Sequence, residues 1–180
     1  FFFILDKVRL CLFCVYMKRL KKLGIPYLGG KRAIAEPLVD YILENNPGCK
    51  YVYDLFGGGG AVSFEFIQRP QIKTVFYNEL NTGVVELLRD IRKNGVTDKY
   101  FEWVDRETFH KHKNDDDWYG GLLKTCWSFG NNQKDYLYGA TVEPIKKEAT
   151  EYLFANGYDR TVNTRTALVR EFVEKEKIKG

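Results

Sequence analysis

Four consecutive glycines, Gly57 to Gly60, separate an apolar stretch ending on Asp54 from a second apolar stretch along Val62, Phe64, Phe66 and Ile67. No other feature limits the fold as strongly. Residues 51–54 read as a short strand and residues 62–67 as the start of a helix, so the glycines form the turn between them. Such a turn is a ligand cradle: glycine lets the backbone approach a bound molecule closely, and free N–H groups at a helix start favour polar or anionic groups. The competing reading is a turn with a purely structural role. A dinucleotide fingerprint is disfavoured, because from Gly57 or Gly58 the third glycine position of Gly-x-Gly-x-x-Gly falls on Val62 or Ser63.

A chain of 180 residues with 44% hydrophobic and 16% aromatic content has enough apolar material for one well-buried domain. The net charge of +4 is modest, yet Lys18, Arg19, Lys21, Lys22, Lys31 and Arg32 crowd into one short stretch. That basic arm suits nucleic-acid phosphates, or else it is a solvated terminus. Cys11, Cys14, Cys49 and Cys126 give one Cys-x-x-Cys without a second pair or nearby histidines. Neither a zinc site nor a disulfide framework follows, and a cytoplasmic protein with reduced thiols fits. Residues 1–16 are apolar but broken by Asp6, Lys7 and Arg9, too short to span a bilayer and without the features of an export signal. Because the only methionine, Met17, directly precedes the basic arm, residues 1–16 are expected to be upstream leader sequence.

Along the chain, a turn at residues 25–31 leads into a helix over about 32–46. Its regular part begins near Glu36 because Pro37 sits best in a first turn, and Ile34, Leu38 and Ile42 form its apolar face. After the glycine helix, residues 73–77 alternate as a second strand, and Val84 to Ile91 make an amphipathic helix stopped at Asn94-Gly95. Strand, helix, strand, helix implies a parallel sheet. A further helix is expected near 98–109, then a polar loop at 110–117 whose histidines and aspartates read as solvated rather than metal-binding. Residues 130–139 mix amides, aromatics and a lysine without periodicity, as a base-reading segment or a self-packed loop would. Two helices follow, over about 142–155 and 164–177.

Three segments in order, Pro26-Tyr27-Leu28-Gly29-Gly30-Lys31, Asp54-Leu55-Phe56-Gly57-Gly58-Gly59-Gly60-Ala61-Val62 and Asn78-Glu79-Leu80-Asn81, resemble the Dam-type DNA adenine methyltransferases. Ser128-Phe129-Gly130-Asn131-Asn132 is similar to the segment that follows in phage-like members. Order and spacing carry the resemblance, which covers residues 17–138. It implies an α/β fold, a Rossmann-like S-adenosylmethionine-dependent methyltransferase sheet that is incomplete here, with helical additions. The core would be residues 17–139, and residues 140–180 would begin a truncated target-recognition region. It also implies S-adenosylmethionine as methyl donor and the adenine amino group of double-stranded DNA as acceptor, as in DNA methylation and restriction-modification.

By that resemblance Tyr27 and Lys31 hold the methionine end of the donor, Asp54, Gly58 and Gly60 form the turn beneath it, and Glu79 accepts the ribose hydroxyls. An acid stabilising a helix N-terminus is the alternative for Glu79. Leu55 stands where the family often has proline, and Glu79 where it often has aspartate. For DNA the candidates are Lys18, Arg19, Lys21, Lys22, Asn131, Asn132 and Tyr136. No catalytic residue is assigned: the family's Asp-Pro-Pro-Tyr, which holds the flipped adenine, is absent, and the five prolines are all isolated. The expectation is a fragment of an adenine-specific enzyme whose remainder is a missing C-terminal part or a partner chain. The rival is a non-catalytic DNA-binding or regulatory remnant.

Overall fold

The structure is a computed structural model that describes residues 2–5, 23–157 and 165–179. The chain divides into two units, Phe1–Leu137 and Tyr138–Gly180. In the first, β1 (Phe2–Leu5), β3 (Thr74–Asn78) and β2 (Tyr51–Asp54) form one sheet in the order β1-β3-β2. β2 and β3 are parallel, with Tyr51 opposite Thr74 and Asp54 opposite Tyr77. The expected parallel pair is therefore accompanied by an antiparallel edge: β1 pairs with β3, Phe2 opposite Asn78 and Leu5 opposite Val75. Residues 6–22, which include most of the basic arm, lie outside the described residues.

α1 (Ala35–Asn45) and α2 (Ala61–Ile67) pack together, and α2 joins β2 to β3. The buried stripe of α1 is Ala35, Val39 and Leu43, one position on from the expected one, with Ile34 51% exposed. Both rows have the same spacing of four, so periodicity alone does not choose between them. In α3 (Thr82–Asn94) the expected apolar face holds, with Val84, Val85, Leu87, Leu88 and Ile91 buried. Asn81 caps its start, its side-chain oxygen accepting from the Val84 N–H at 3.4 Å, and Gly95 ends it at φ 75°.

The stretch expected to be one helix near 98–109 is instead a 3-10 turn, Asp98–Phe101, followed by α4 (Arg106–His112). Asp105 causes the restart, its side chain capping α4 through the Thr108 N–H at 2.7 Å. Of the polar run at 110–117, residues 110–112 end α4 and residues 113–117 form the loop, with His112 paired to Asp115 at 2.8 Å, and Asp117 caps α5 (Trp118–Cys126). α5 lies against α3 so closely that a Cβ on Gly121 would meet the Gly83 carbonyl oxygen at 1.9 Å.

Asp90 fastens the 3-10 turn to α3. It accepts from the Tyr100 hydroxyl, from Lys99 Nζ at 2.5 Å and from Asn94 Nδ2 at 2.8 Å. Burial alone would raise its carboxyl, but the hydrogen bonds from Lys99 and Tyr100 and the charge of Lys99 bring it below the usual range. A depressed folded-state value means the charged form contributes stability above the unfolded value, about 3.9, and that contribution fades as pH falls through the folded value. Urea unfolding at pH 7 should therefore find Asp90→Asn less stable than wild type, and at pH 3 the gap should narrow; a gap independent of pH would assign Asp90 no electrostatic role.

In the second unit α6 (Glu143–Ala155) begins with Pro144 in its first turn and stops at Asn156-Gly157, as the sequence predicts. It packs on α7 (Arg165–Lys179) through Tyr152 and the buried Phe172, whose ring centroids are 5.6 Å apart. Among the described residues no helix is long and apolar enough to cross a membrane.

Candidate functional site

The parallel strands end side by side, and the chain leaves each in a way that builds a cradle. Past β2 it enters the glycine turn, where the Gly57 N–H donates to the Asn78 carbonyl at 2.8 Å and the Gly60 N–H to the Gly57 carbonyl at 2.8 Å. Gly60 is the N-cap of α2 at φ 80°, a left-handed conformation that side chains other than glycine's rarely adopt. Beneath the turn lies Tyr77, fully buried, its hydroxyl donating to the Gly58 carbonyl at 2.6 Å. Burial pushes this phenol far up, with Glu79 and Asp54 adding to the effect, so it stays a neutral donor.

A second strip of backbone, residues 23–31, crosses the turn. The Ile25 N–H donates to the Gly59 carbonyl at 2.9 Å, and a Cβ on Gly59 would meet the Ile25 carbonyl oxygen at 2.4 Å. Only glycine allows that approach. The crossing brings Tyr27 to Glu79, 52 positions later in the sequence.

Glu79 is the centre of the polar geometry. Its side chain is buried, Oε2 accepting from the Gly58 N–H at 2.8 Å and Oε1 from the Asn81 N–H at 2.9 Å and the Tyr27 hydroxyl at 3.3 Å. Burial raises the Tyr27 phenol; the Gln133 side chain, hydrogen-bonded to it, acts in the opposite direction, while Glu79 adds to the rise. Asp54 ties the end of β2 to α2 by accepting from the Ser63 hydroxyl at 2.6 Å. Lys31 rests on the Gly29 carbonyl at 2.8 Å.

Between the crossing strip and the turn lies a cavity of about 470 Å³, lined by Tyr27, Lys31, Arg32, Asp54, Phe56 and Gly57 to Gly59 among others. That size is within the range of small-molecule and cofactor sites. Tyr27, Lys31, Asp54, Gly58 and Glu79 are thus gathered around one feature, with Glu79 reaching the turn through the Gly58 N–H. Sequence reading missed Phe56 and Leu80. Each lies two residues beyond the end of a parallel strand, and each is 92% exposed although large and apolar. Ligands of such sheets bind outside the carboxyl ends of the strands.

The segment at 128–136 differs from the expectation for Tyr136. That ring is buried, packed near Phe109 and Trp127, and its hydroxyl donates to the Val104 carbonyl at 2.6 Å. It offers no free face for a base; the exposed aromatic of the segment is Phe129, at 65%. Asn131, at φ 58°, donates its amide to the Thr125 carbonyl at 2.6 Å. Asn132 builds the turn itself, Oδ1 accepting from the N–H groups of Lys134 and Asp135 and Nδ2 donating to Asp135. Lys18, Arg19, Lys21 and Lys22 lie outside the described residues.

A family model described as D12 class N6 adenine-specific DNA methyltransferase matches residues 27–157, most of the chain. Its match starts at Tyr27, the residue that reaches Glu79. No curated protein and no solved structure matches.

Proposed function

The chain belongs to the D12 class N6 adenine-specific DNA methyltransferases, and from that premise we propose that its first unit binds S-adenosylmethionine for methyl transfer to the amino group of adenine in DNA. One observation carries the reading: a buried carboxylate, Glu79, fixed by the Gly58 N–H beside a glycine-lined cavity at the ends of two parallel strands. When bound, the donor supplies an electrophilic methyl group on a sulfonium. The residues fit its parts. Glu79 presents a carboxylate at the turn, the acceptor type that ribose hydroxyls need. Lys31 and Tyr27 line the cavity where a carboxylate and an ammonium need partners. Phe56 and Leu80 offer exposed apolar surface for a flat heterocycle, whose burial there would remove both side chains from water.

A second reading, a DNA-binding or regulatory chain that transfers no methyl, is favoured by the acceptor side. The sequence has no Pro-Pro, and the amides of Asn131 and Asn132 are committed within their own segment. An acceptor misplaced by about 1 Å can cost a hundredfold in rate.

Titration calorimetry with S-adenosylhomocysteine tests the donor site. Wild type should bind, and Phe56→Ala and Leu80→Ala should weaken binding roughly 5–30-fold, as expected for about 1–2 kcal/mol of lost apolar burial. Their melting temperatures should not change, because both side chains are already in water. Affinity unchanged in both variants would place the heterocycle elsewhere. Tritiated donor with adenine-containing duplex separates the two readings: methyladenine supports the enzyme, and donor binding without product supports the non-catalytic chain.

A further inference from the structure

Ser63 is a fully buried polar side chain on a helix whose other buried residues are apolar: Ala61, Phe64, Phe66 and Ile67. A buried hydroxyl needs a partner for its single proton, and a helical serine ordinarily turns it back to the carbonyl three or four positions earlier. Here both of those carbonyls already accept from the main chain, Gly59 from the Ile25 N–H at 2.9 Å and Gly60 from the Phe64 N–H at 2.9 Å. The Ser63 proton leaves the helix instead. It goes to Asp54 Oδ2 at 2.6 Å, nine residues earlier in the chain.

Asp54 ends β2 and lines the cavity, where it is the one acidic group among the described lining residues. Lys31 and Arg32 supply the cations of the same lining. Among the described residues, Ser63 is the hydrogen-bond partner of the Asp54 carboxylate, and no lysine or arginine forms an ion pair with it. A carboxylate that lines a cavity without a protein cation beside it suits a cation brought by a ligand, and the amino-acid end of S-adenosylmethionine carries an ammonium group. Orientation matters there, because withdrawing two charges from water is favourable only where their hydrogen-bond geometry also matches. A charge-assisted O–H···O⁻ bond as short as the one from Ser63 fixes the carboxyl plane as well as its position. We propose that Ser63 is a positioning residue for donor binding: by holding Asp54 Oδ2 it turns Oδ1 to the ammonium group of the donor's amino-acid end. The inference rests on the donor-site reading above.

The test is titration calorimetry of the full chain with two ligands, S-adenosylhomocysteine and its analogue in which hydrogen replaces the amino group. Wild type should bind the first at least roughly tenfold more tightly, as one hydrogen bond between charged groups allows. In Ser63→Ala that ratio should fall about fivefold or more, through weaker binding of S-adenosylhomocysteine alone. Asp54→Asn keeps the shape of the side chain and removes its charge, so it should lower the ratio in the same way. Adding Ser63→Ala to it should cost nothing further, since the two residues act through one interaction. A hydroxyl that only ties β2 to α2 would weaken both ligands alike in Ser63→Ala, and a ratio left as in wild type would overturn the inference. A wild-type ratio near one would also overturn it while leaving the donor site standing. Binding of neither ligand by wild type would overturn the donor site and the inference together.

Discussion

Titrating the Glu79→Ala variant with S-adenosylhomocysteine is expected to give no measurable heat at concentrations that saturate wild type. A hydrogen bond to a charged group contributes about 1.5–3 kcal/mol, so losing two from a ribose diol costs roughly 3–6 kcal/mol, a factor on the order of 10² to 10⁴ in affinity. The substitution also damages the cradle, because Glu79 is the side chain that satisfies the N–H groups of Gly58 and Asn81. A buried donor left without a partner costs about 1–3 kcal/mol, so the melting temperature should fall as well. Glu79→Gln separates binding from helix-end electrostatics. A carboxylate acting only on the α3 dipole contributes about 0.3–1 kcal/mol, and its amide isostere would lose no more than that. In the cradle, however, an amide nitrogen must face either the Gly58 N–H or the donors on Oε1, donor against donor. The glutamine variant should therefore bind at least tenfold more weakly than wild type, on the order of 1.4 kcal/mol. Affinity within threefold of wild type in both variants would return Glu79 to a helix-capping role.

How far the sequence reveals this site depends on how far each interaction reaches along the chain. The glycine turn and the acid after β3 are legible because strand, turn and helix are local patterns with fixed periods. Tyr27, Lys31, Asp54, Gly58 and Glu79 all belong to such punctuated stretches, and the fold brings them to one feature. The apolar row of α1 was misplaced by one residue because two rows share the same spacing, and only the packing against α2 chooses between them. Tyr136 carries no local mark of burial; it packs near Phe109 and Trp127, and its hydroxyl donates to the Val104 carbonyl 32 residues upstream. Gln133 was equally silent, since its partner Asn81 is 52 residues away and its left-handed backbone has no glycine to announce it. Phe56 and Leu80 did carry a signal: a large apolar side chain directly beyond each strand, beside glycines or polar residues, has no core to enter.

Adding a single methyl group at Gly59 should weaken donor binding. In Gly59→Ala the new Cβ would stand 2.4 Å from the Ile25 carbonyl oxygen and 3.1 Å from Tyr27 Cβ. Both neighbours are main chain or next to it, so no side-chain rotation relieves the contact, and the strip at 23–27 must move by roughly 1 Å in a close-packed region. The shift breaks the 2.9 Å bond from the Ile25 N–H to the Gly59 carbonyl and carries Tyr27 away from Glu79. Overpacking of this kind costs about 1–3 kcal/mol, which for a unit of this size lowers the melting temperature by roughly 3–10 °C. The close approach of α3 and α5 is made at Gly83 and Gly121, away from Gly59, so the variant should still fold, with donor affinity reduced at least tenfold, about 1.4 kcal/mol. Gly48→Ala is the matched control, because a Cβ there meets no atom within 4 Å. It should melt and bind like wild type. If Gly59→Ala binds S-adenosylhomocysteine as tightly as that control, the strip at 23–31 is not part of the donor site, and the cavity it roofs must serve another ligand.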